Sequence, residues 1–111
     1  MWTGLKVDRV KIENKDISCM ELKESELKNI FFSSSMAVGL NLKKANLKNC
    51  YFRNCDLGAS DFTESNLEEV VFENCILRNI SFKDAQFKNV YLSNGTKVKI
   101  VLKEEDLQCS I

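Results

Sequence analysis

The sequence predicts an all-β solenoid, a chain that turns a corner every five residues and stacks its coils on one shared core. Three observations predict it. From Leu22 to Leu92 a large apolar residue recurs at every fifth position, and fourteen of the fifteen positions are Leu or Phe. Leu and Phe together are only 19 of the 111 residues, and six of the seven Phe lie in this register. Two residues before each of these positions stands an uncharged and mostly small residue, as at Ser25, Ala45, Cys50, Ser65 and Ala85. All 32 charged residues avoid these thirty positions. Two residues in five therefore point inward. A period of five suits neither ordinary element. On an α-helix each step of five advances ~140°, which smears the Leu and Phe around the surface. On a flat strand an odd step flips the side chain to the opposite face.

Segments such as Ala45-Asn46-Leu47-Lys48-Asn49, Cys55-Asp56-Leu57-Gly58-Ala59 and Ser65-Asn66-Leu67-Glu68-Glu69 carry the pattern small, Asp or Asn, Leu or Phe, then two further residues. This pattern resembles the pentapeptide-repeat family, and the resemblance runs unbroken from 20 to 92. It implies a right-handed quadrilateral parallel β-helix with twenty residues per coil, about four to five coils in this chain. Residues twenty apart then stack at about the 4.8 Å spacing of neighbouring parallel strands.

The elements follow in chain order. Residues 1–19 are expected to form a degenerate first coil or cap: Trp2, Val7, Ile12 and Ile17 keep the central count, Leu5 and Val10 keep the small-residue count, and Lys15 breaks it. Residues 20–94 are the repeat β-helix. Inside it, Phe32, Phe52 and Phe72 are expected to form one ladder ending at Leu92, and Leu42, Phe62 and Phe82 another. Ala37 is the one undersized central residue, where a small cavity or inward movement of Leu40 is expected. Asn49, Asn54, Asn74, Asn79, Asn89 and Asn94 fall at the corners, where Asn tolerates tight backbone and bonds locally. Asn94-Gly95 signals a turn, and Val98, Ile100 and Leu102 alternate with Lys97 and Lys99 as in a strand. Residues 95–111 are therefore expected to cap the last coil, which otherwise exposes apolar side chains and unpaired backbone.

Composition narrows the function. Sixteen Lys and Arg balance sixteen Asp and Glu, which argues against a strongly basic nucleic-acid binder. The chain has no His, which removes the commonest general base and zinc ligand. No glycine-rich phosphate loop and no nucleophile–base spacing is present, so no enzyme, no cofactor and no metal are expected. Asp56 with Asp61, or Glu68 with Glu69, are carboxylate pairs best explained as solvated. No apolar run reaches membrane-span length and the first residues lack a signal-peptide core, so no membrane partner and a cytoplasmic location are expected. The five cysteines are odd in number, with no Cys-x-x-Cys, and are expected to be free thiols, most of them small core residues. Cys55 and Cys75 are expected to stack inside the core.

The position before each central residue sorts into four columns under a coil of twenty. Glu21, Asn41, Asp61 and Ser81 form one, and Glu26, Asn46, Asn66 and Gln86 a second. Phe31, Tyr51, Val71 and Tyr91 form a third, and Met36, Asp56, Ile76 and Thr96 a fourth. The third departs from the family's pattern and is expected to project outward, since Phe32, Phe52, Phe72 and Leu92 already point inward beside it. With Met36, Val38 and Ile76 near the corner, it approaches the few hundred Å² at which an apolar patch signals an interface. Three readings stay open: a protein-binding surface, simple stacking along the sheet, or cover by a terminal segment. Two Lys columns, Lys23, Lys43, Lys83 and Lys28, Lys48, Lys88, are interrupted by carboxylates and read as a solvated mixed-charge face.

The sequence thus predicts a non-catalytic protein-interaction module. Its expected partner is a second copy, giving a dimer, or a different protein, through Phe31, Tyr51, Val71, Tyr91, Met36 and Ile76. The family resemblance implies an alternative. Some members bind type II DNA topoisomerases by imitating duplex DNA and protect them from quinolones, but those are longer and acidic on the binding faces.

Overall fold

The structure is a computed structural model, and it describes residues 4–93 together with the backbone of 100–101. Trp2, the turn at Asn94-Gly95, Thr96, Val98, Leu102 and most of the expected C-terminal cap lie outside the described residues.

Ten three-residue strands come in pairs, one pair per coil: β1 (Lys6–Asp8) and β2 (Lys11–Glu13), β3 (Glu26–Lys28) and β4 (Phe31–Ser33), β5 (Asn46–Lys48) and β6 (Tyr51–Arg53), β7 (Asn66–Glu68) and β8 (Val71–Glu73), β9 (Gln86–Lys88) and β10 (Tyr91–Ser93). A two-residue strand, β11 (Ile100–Val101), follows. The first members of the pairs stack as one sheet in the order β1-β3-β5-β7-β9. The second members stack as another, β2-β4-β6-β8-β10, with β11 beside β10. All the coil-to-coil pairings are parallel and join residues twenty apart, as in Phe32 to Phe52 and Phe52 to Phe72. The fold is an all-β parallel solenoid of about four turns.

The other two sides of each coil are turns, joined from coil to coil by single bridges. One side carries Asp16, Met36, Asp56 and Ile76, the other Glu21, Asn41, Asp61 and Ser81. On these sides a tight bond closes four residues, as where the Ala45 N–H donates to the Leu42 carbonyl at 3.1 Å. The residue before the centre caps the turn: the Gly58 N–H donates to Asp56 Oδ1 at 3.0 Å and the Thr63 N–H to Asp61 Oδ1 at 2.8 Å. This explains why Asp or Asn is favoured there, and it gives those two carboxylates a structural role.

Every fifth residue from 4 to 89 has positive φ, sixteen of them non-glycine. These are the corners, two residues after each centre. Asn49, Asn54, Asn74, Asn79 and Asn89 are among them, with φ of 52–57°. Asn enters the left-handed region more readily than most residues. Asn amides also ladder outside: Asn49 Nδ2 donates to Asn29 Oδ1, and Asn74 Nδ2 to Asn54 Oδ1, each at 2.7 Å.

The core lies inside the four walls. Every central residue from Leu22 to Phe82 is buried, as is Leu92, while Phe87 near the last coil is half-buried. Phe52 stacks between Phe32 at 4.3 Å and Phe72 at 5.1 Å between ring centroids. Phe62 stacks on Phe82 at 4.9 Å. Ala37 is buried with Leu40, and Ser60 fills in polar form between them. Its hydroxyl donates to the Ala37 carbonyl and accepts the Leu40 N–H, both at 3.0 Å. Cys50, Cys55 and Cys75 are buried free thiols, and Cys19 is an exposed one.

The first coil departs from the inward pattern. Val10 and Met20, on the small-residue count, are exposed, and Leu5, Val7, Ile12 and Ile17 are only half-buried. Among the described residues no coil stands beneath them to complete their cover.

Candidate interaction surface

Phe31, Tyr51, Val71 and Tyr91 open β4, β6, β8 and β10, so backbone pairing sets them in one column. The residue after each points into the core, and alternation along the strand turns these four outward. The column is bounded at one end by Lys11, which pairs with Phe31. At the other end Tyr91 pairs with Val101 of the antiparallel β11. β11 continues this sheet in its own plane.

All four residues are half-buried, because they cover one another. The Phe31 and Tyr51 rings lie 5.4 Å apart and are tilted by 54°. Two residues that sequence reasoning did not single out anchor the column. Tyr51 Oη donates to Glu73 Oε1 at 2.6 Å, and Arg53 Nε reaches Glu73 Oε2 at 3.1 Å. The signal was available: Arg53 and Glu73 share the column two positions further along the same strands. The hydrogen bond to the Glu73 carboxylate raises the Tyr51 phenol above its ordinary value, and partial burial adds to this.

The most exposed large apolar side chains lie round the corner. Met36 is 53% and Ile76 45% exposed, with the half-buried Asp56 bridged between them. Met36 occupies the place where Asp16 and Asp56 cap their turns. Here the Val38 N–H bonds Ser18 Oγ instead, at 3.2 Å. The surface is therefore L-shaped, an aromatic column on a strand face joined to two projecting apolar residues on a turn face.

The other walls carry mixed charge. Lys6 pairs with Glu26 at 3.9 Å and Lys88 with Glu68 at 3.5 Å, both largely exposed. Such pairs stabilise by little, about 0–1 kcal/mol. Among the described residues no three His, Cys, Asp or Glu side chains converge on a metal-sized site. No helix of the described residues is long and apolar enough to cross a membrane.

Known proteins agree with this architecture. The family described as pentapeptide repeat region matches residues 32–102. No curated protein sequence matches the chain. Among solved structures, full-length QnrB1, a plasmid-mediated fluoroquinolone resistance protein, superposes with a TM-score of 0.67 at 24% identity. That match covers 89% of this chain and 50% of QnrB1, so the chain spans half the length of that relative. The pentapeptide repeat protein Rfr23 from the cyanobacterium Cyanothece 51142 is 15% identical, with a TM-score of 0.48 over 83% of this chain and 87% of that one. The repeat matched over 32–102, laid on coils of twenty residues with four sides each, makes the chain a member of the pentapeptide-repeat family.

Proposed function

We propose that this chain is a non-catalytic protein-interaction module whose L-shaped apolar face binds a second copy of itself or another protein. The observation that carries this reading is the column Phe31, Tyr51, Val71 and Tyr91 beside the projecting Met36 and Ile76. Tyr, Met and Arg are enriched at interfaces, and Tyr51, Met36 and Arg53 gather here. Coil-to-coil backbone bonds hold the spacing, so little ordering entropy is lost on binding. Residues 95–111 serve in this reading as the cap of the last coil, supported by the antiparallel pairing of β11 with β10. A cytosolic location belongs to the same reading, since a reducing compartment keeps thiols such as Cys50, Cys55 and Cys75 free.

Amide spectra through a dilution series test it. Shifts confined to residues 31–36, 51–53, 71–76 and 91 support self-association through this face. Shifts confined to the mixed-charge walls or to the chain ends count against it. Spectra that do not change direct the search to a different protein.

A second reading, mimicry of DNA toward a type II topoisomerase, is favoured by the fold likeness to QnrB1. The mixed lysines and carboxylates of the walls weigh against it. Supercoiling by gyrase, with and without a quinolone, discriminates: no change at micromolar protein removes this reading.

A further inference from the structure

Cys55 and Cys75 stand on successive coils of one inward column, which reads Ser35, Cys55, Cys75. Each directly precedes a member of the Asp56–Ile76 bridge, and the Ile76 N–H donates to the Cys55 carbonyl at 3.0 Å. Their Cα atoms are thus about one strand spacing apart, ~4.8 Å. That falls within the roughly 4.4–6.8 Å of Cα separation that disulfides span. Parallel stacking leaves the Cβ atoms at about the same spacing, slightly beyond the roughly 3.5–4.5 Å they take, so bond formation must draw the two coils together. The thiols are oriented alike. Cys55 Sγ donates to the Arg53 carbonyl at 3.3 Å and Cys75 Sγ to the Glu73 carbonyl at 3.4 Å, each two residues back. Cys75 Sγ also lies 3.3 Å from the Phe52 carbonyl.

The neighbouring Cys75 thiol holds the Cys55 thiol below its ordinary value, while Cys55 and burial raise that of Cys75. Cys50 is the internal contrast. Its column reads Ile30, Cys50, Val70, it meets the Leu27 and Lys48 carbonyls, and burial pushes it up to about 11. Cys55 is buried, 2% exposed against 7% for Cys75, and is a lining residue of an open groove between Met36, Asn54, Asn74 and Ile76. The groove brings a small oxidant to the coil that holds Cys55.

We propose that Cys55 and Cys75 form a dithiol that a hydroperoxide closes to a disulfide, clamping two coils together beneath the Met36–Ile76 edge. With hydrogen peroxide the Cys55 thiolate attacks the O–O bond. It becomes a sulfenic acid, and the hydroxide released takes the thiol's proton and leaves as water. The Cys75 sulfur then attacks the sulfenic sulfur, the S–S bond forms, and hydroxide leaves with the Cys75 proton as a second water. Two thiols are oxidised by two electrons and the peroxide is reduced to two waters.

The experiment treats the folded full chain with hydrogen peroxide, blocks the remaining thiols with N-ethylmaleimide, and maps peptides by mass. The expected product joins the peptides of Cys55 and Cys75, two hydrogens lighter than their sum, and dithiothreitol reverses it. Cys50 stays unmodified until the chain is unfolded. In Cys75→Ser, Cys55 accumulates as a sulfenic acid that dimedone traps; in Cys55→Ser, Cys75 is not oxidised. Serine fits this column, since Ser35 already occupies it and bonds the Ser33 carbonyl at 2.9 Å, and circular dichroism checks that each variant folds. Oxidation of the exposed Cys19 while Cys55 and Cys75 both stay free overturns the proposal. A dimedone adduct on Cys75 in Cys55→Ser overturns the assigned order of attack. If either variant fails to fold, the wild-type peptide map decides alone.

Discussion

Replacing Phe52 by Ala removes a ring from the middle of the longest stack of interior rings. Phe52 is 0% exposed and lies between two near-parallel rings, at 4.3 and 5.1 Å. The walls around it are tied by backbone bonds to the coils on both sides, so they cannot collapse far into the space. Loss of transfer energy plus an unfilled cavity costs about 3–5 kcal/mol for a buried Phe. A domain of this size has about 5–15 kcal/mol of stability in all, so the variant loses a large share of it. Tyr51→Ala, one residue earlier, is the matched control. Tyr51 is half-buried, with one ring contact and one hydrogen bond, and its loss costs about 1–2 kcal/mol. Urea unfolding followed by circular dichroism reads both. Equal losses, or a larger one for Tyr51→Ala, would refute the assignment of inward and outward positions on the strand.

Other outcomes follow from the same geometry. Ser60→Ala removes the hydroxyl that joins the Ala37 carbonyl to the Leu40 N–H, and urea unfolding should show a loss of about 1–3 kcal/mol; no loss would mean those groups find other partners. Ala59 sits at φ 59°, where relief of the left-handed cost outweighs glycine's added chain entropy. Ala59→Gly should therefore gain about 0.5–1 kcal/mol, and a clear loss would contradict this. The Tyr51 phenol is raised by its bond to Glu73. That bond thus contributes stability that is present below the ordinary phenol value of about 10 and lost as pH rises through the folded value. An ultraviolet titration should show Tyr51 ionising later than in Glu73→Ala, and coincident curves would disprove the bond.

Much of the fold was legible because a solenoid repeats its geometry. One residue type recurring every fifth position names the interior column, and the twenty-residue stacking of Phe32, Phe52 and Phe72 follows from the family's coil. What the period conceals is which sides are strands. The step of five is the same at Phe32 and at Ala37, yet one lies in β4 and the other in a turn. The residue before the centre separates only some of the sides: Asp56 and Asp61 cap turns and Phe31, Tyr51 and Val71 pair as strands, but Met36 and Ile76 also stand on a turn side and Asn46 and Asn66 in strands. The candidate surface was legible as a column but not in its exposure. Phe31 and Tyr51 shield each other and Glu73 holds the phenol, which leaves Met36 and Ile76 as its most exposed members. The inward count fails at Val10, in the coil expected to be degenerate, and at Met20, the first position of the repeat, because cover in a solenoid comes from the neighbouring coil and not from the residue's own repeat.

The claim that the aromatic column is an interface is tested most directly by molar mass from light scattering on an eluting column. Wild type, Tyr51→Glu and Asn46→Glu are compared, the last placing the same charge on the adjacent strand wall. The account predicts that wild type and Asn46→Glu elute as dimers of the 12.7 kDa chain and that Tyr51→Glu is a folded monomer. A dimer untouched by Tyr51→Glu would contradict it and move the contact to the chain ends.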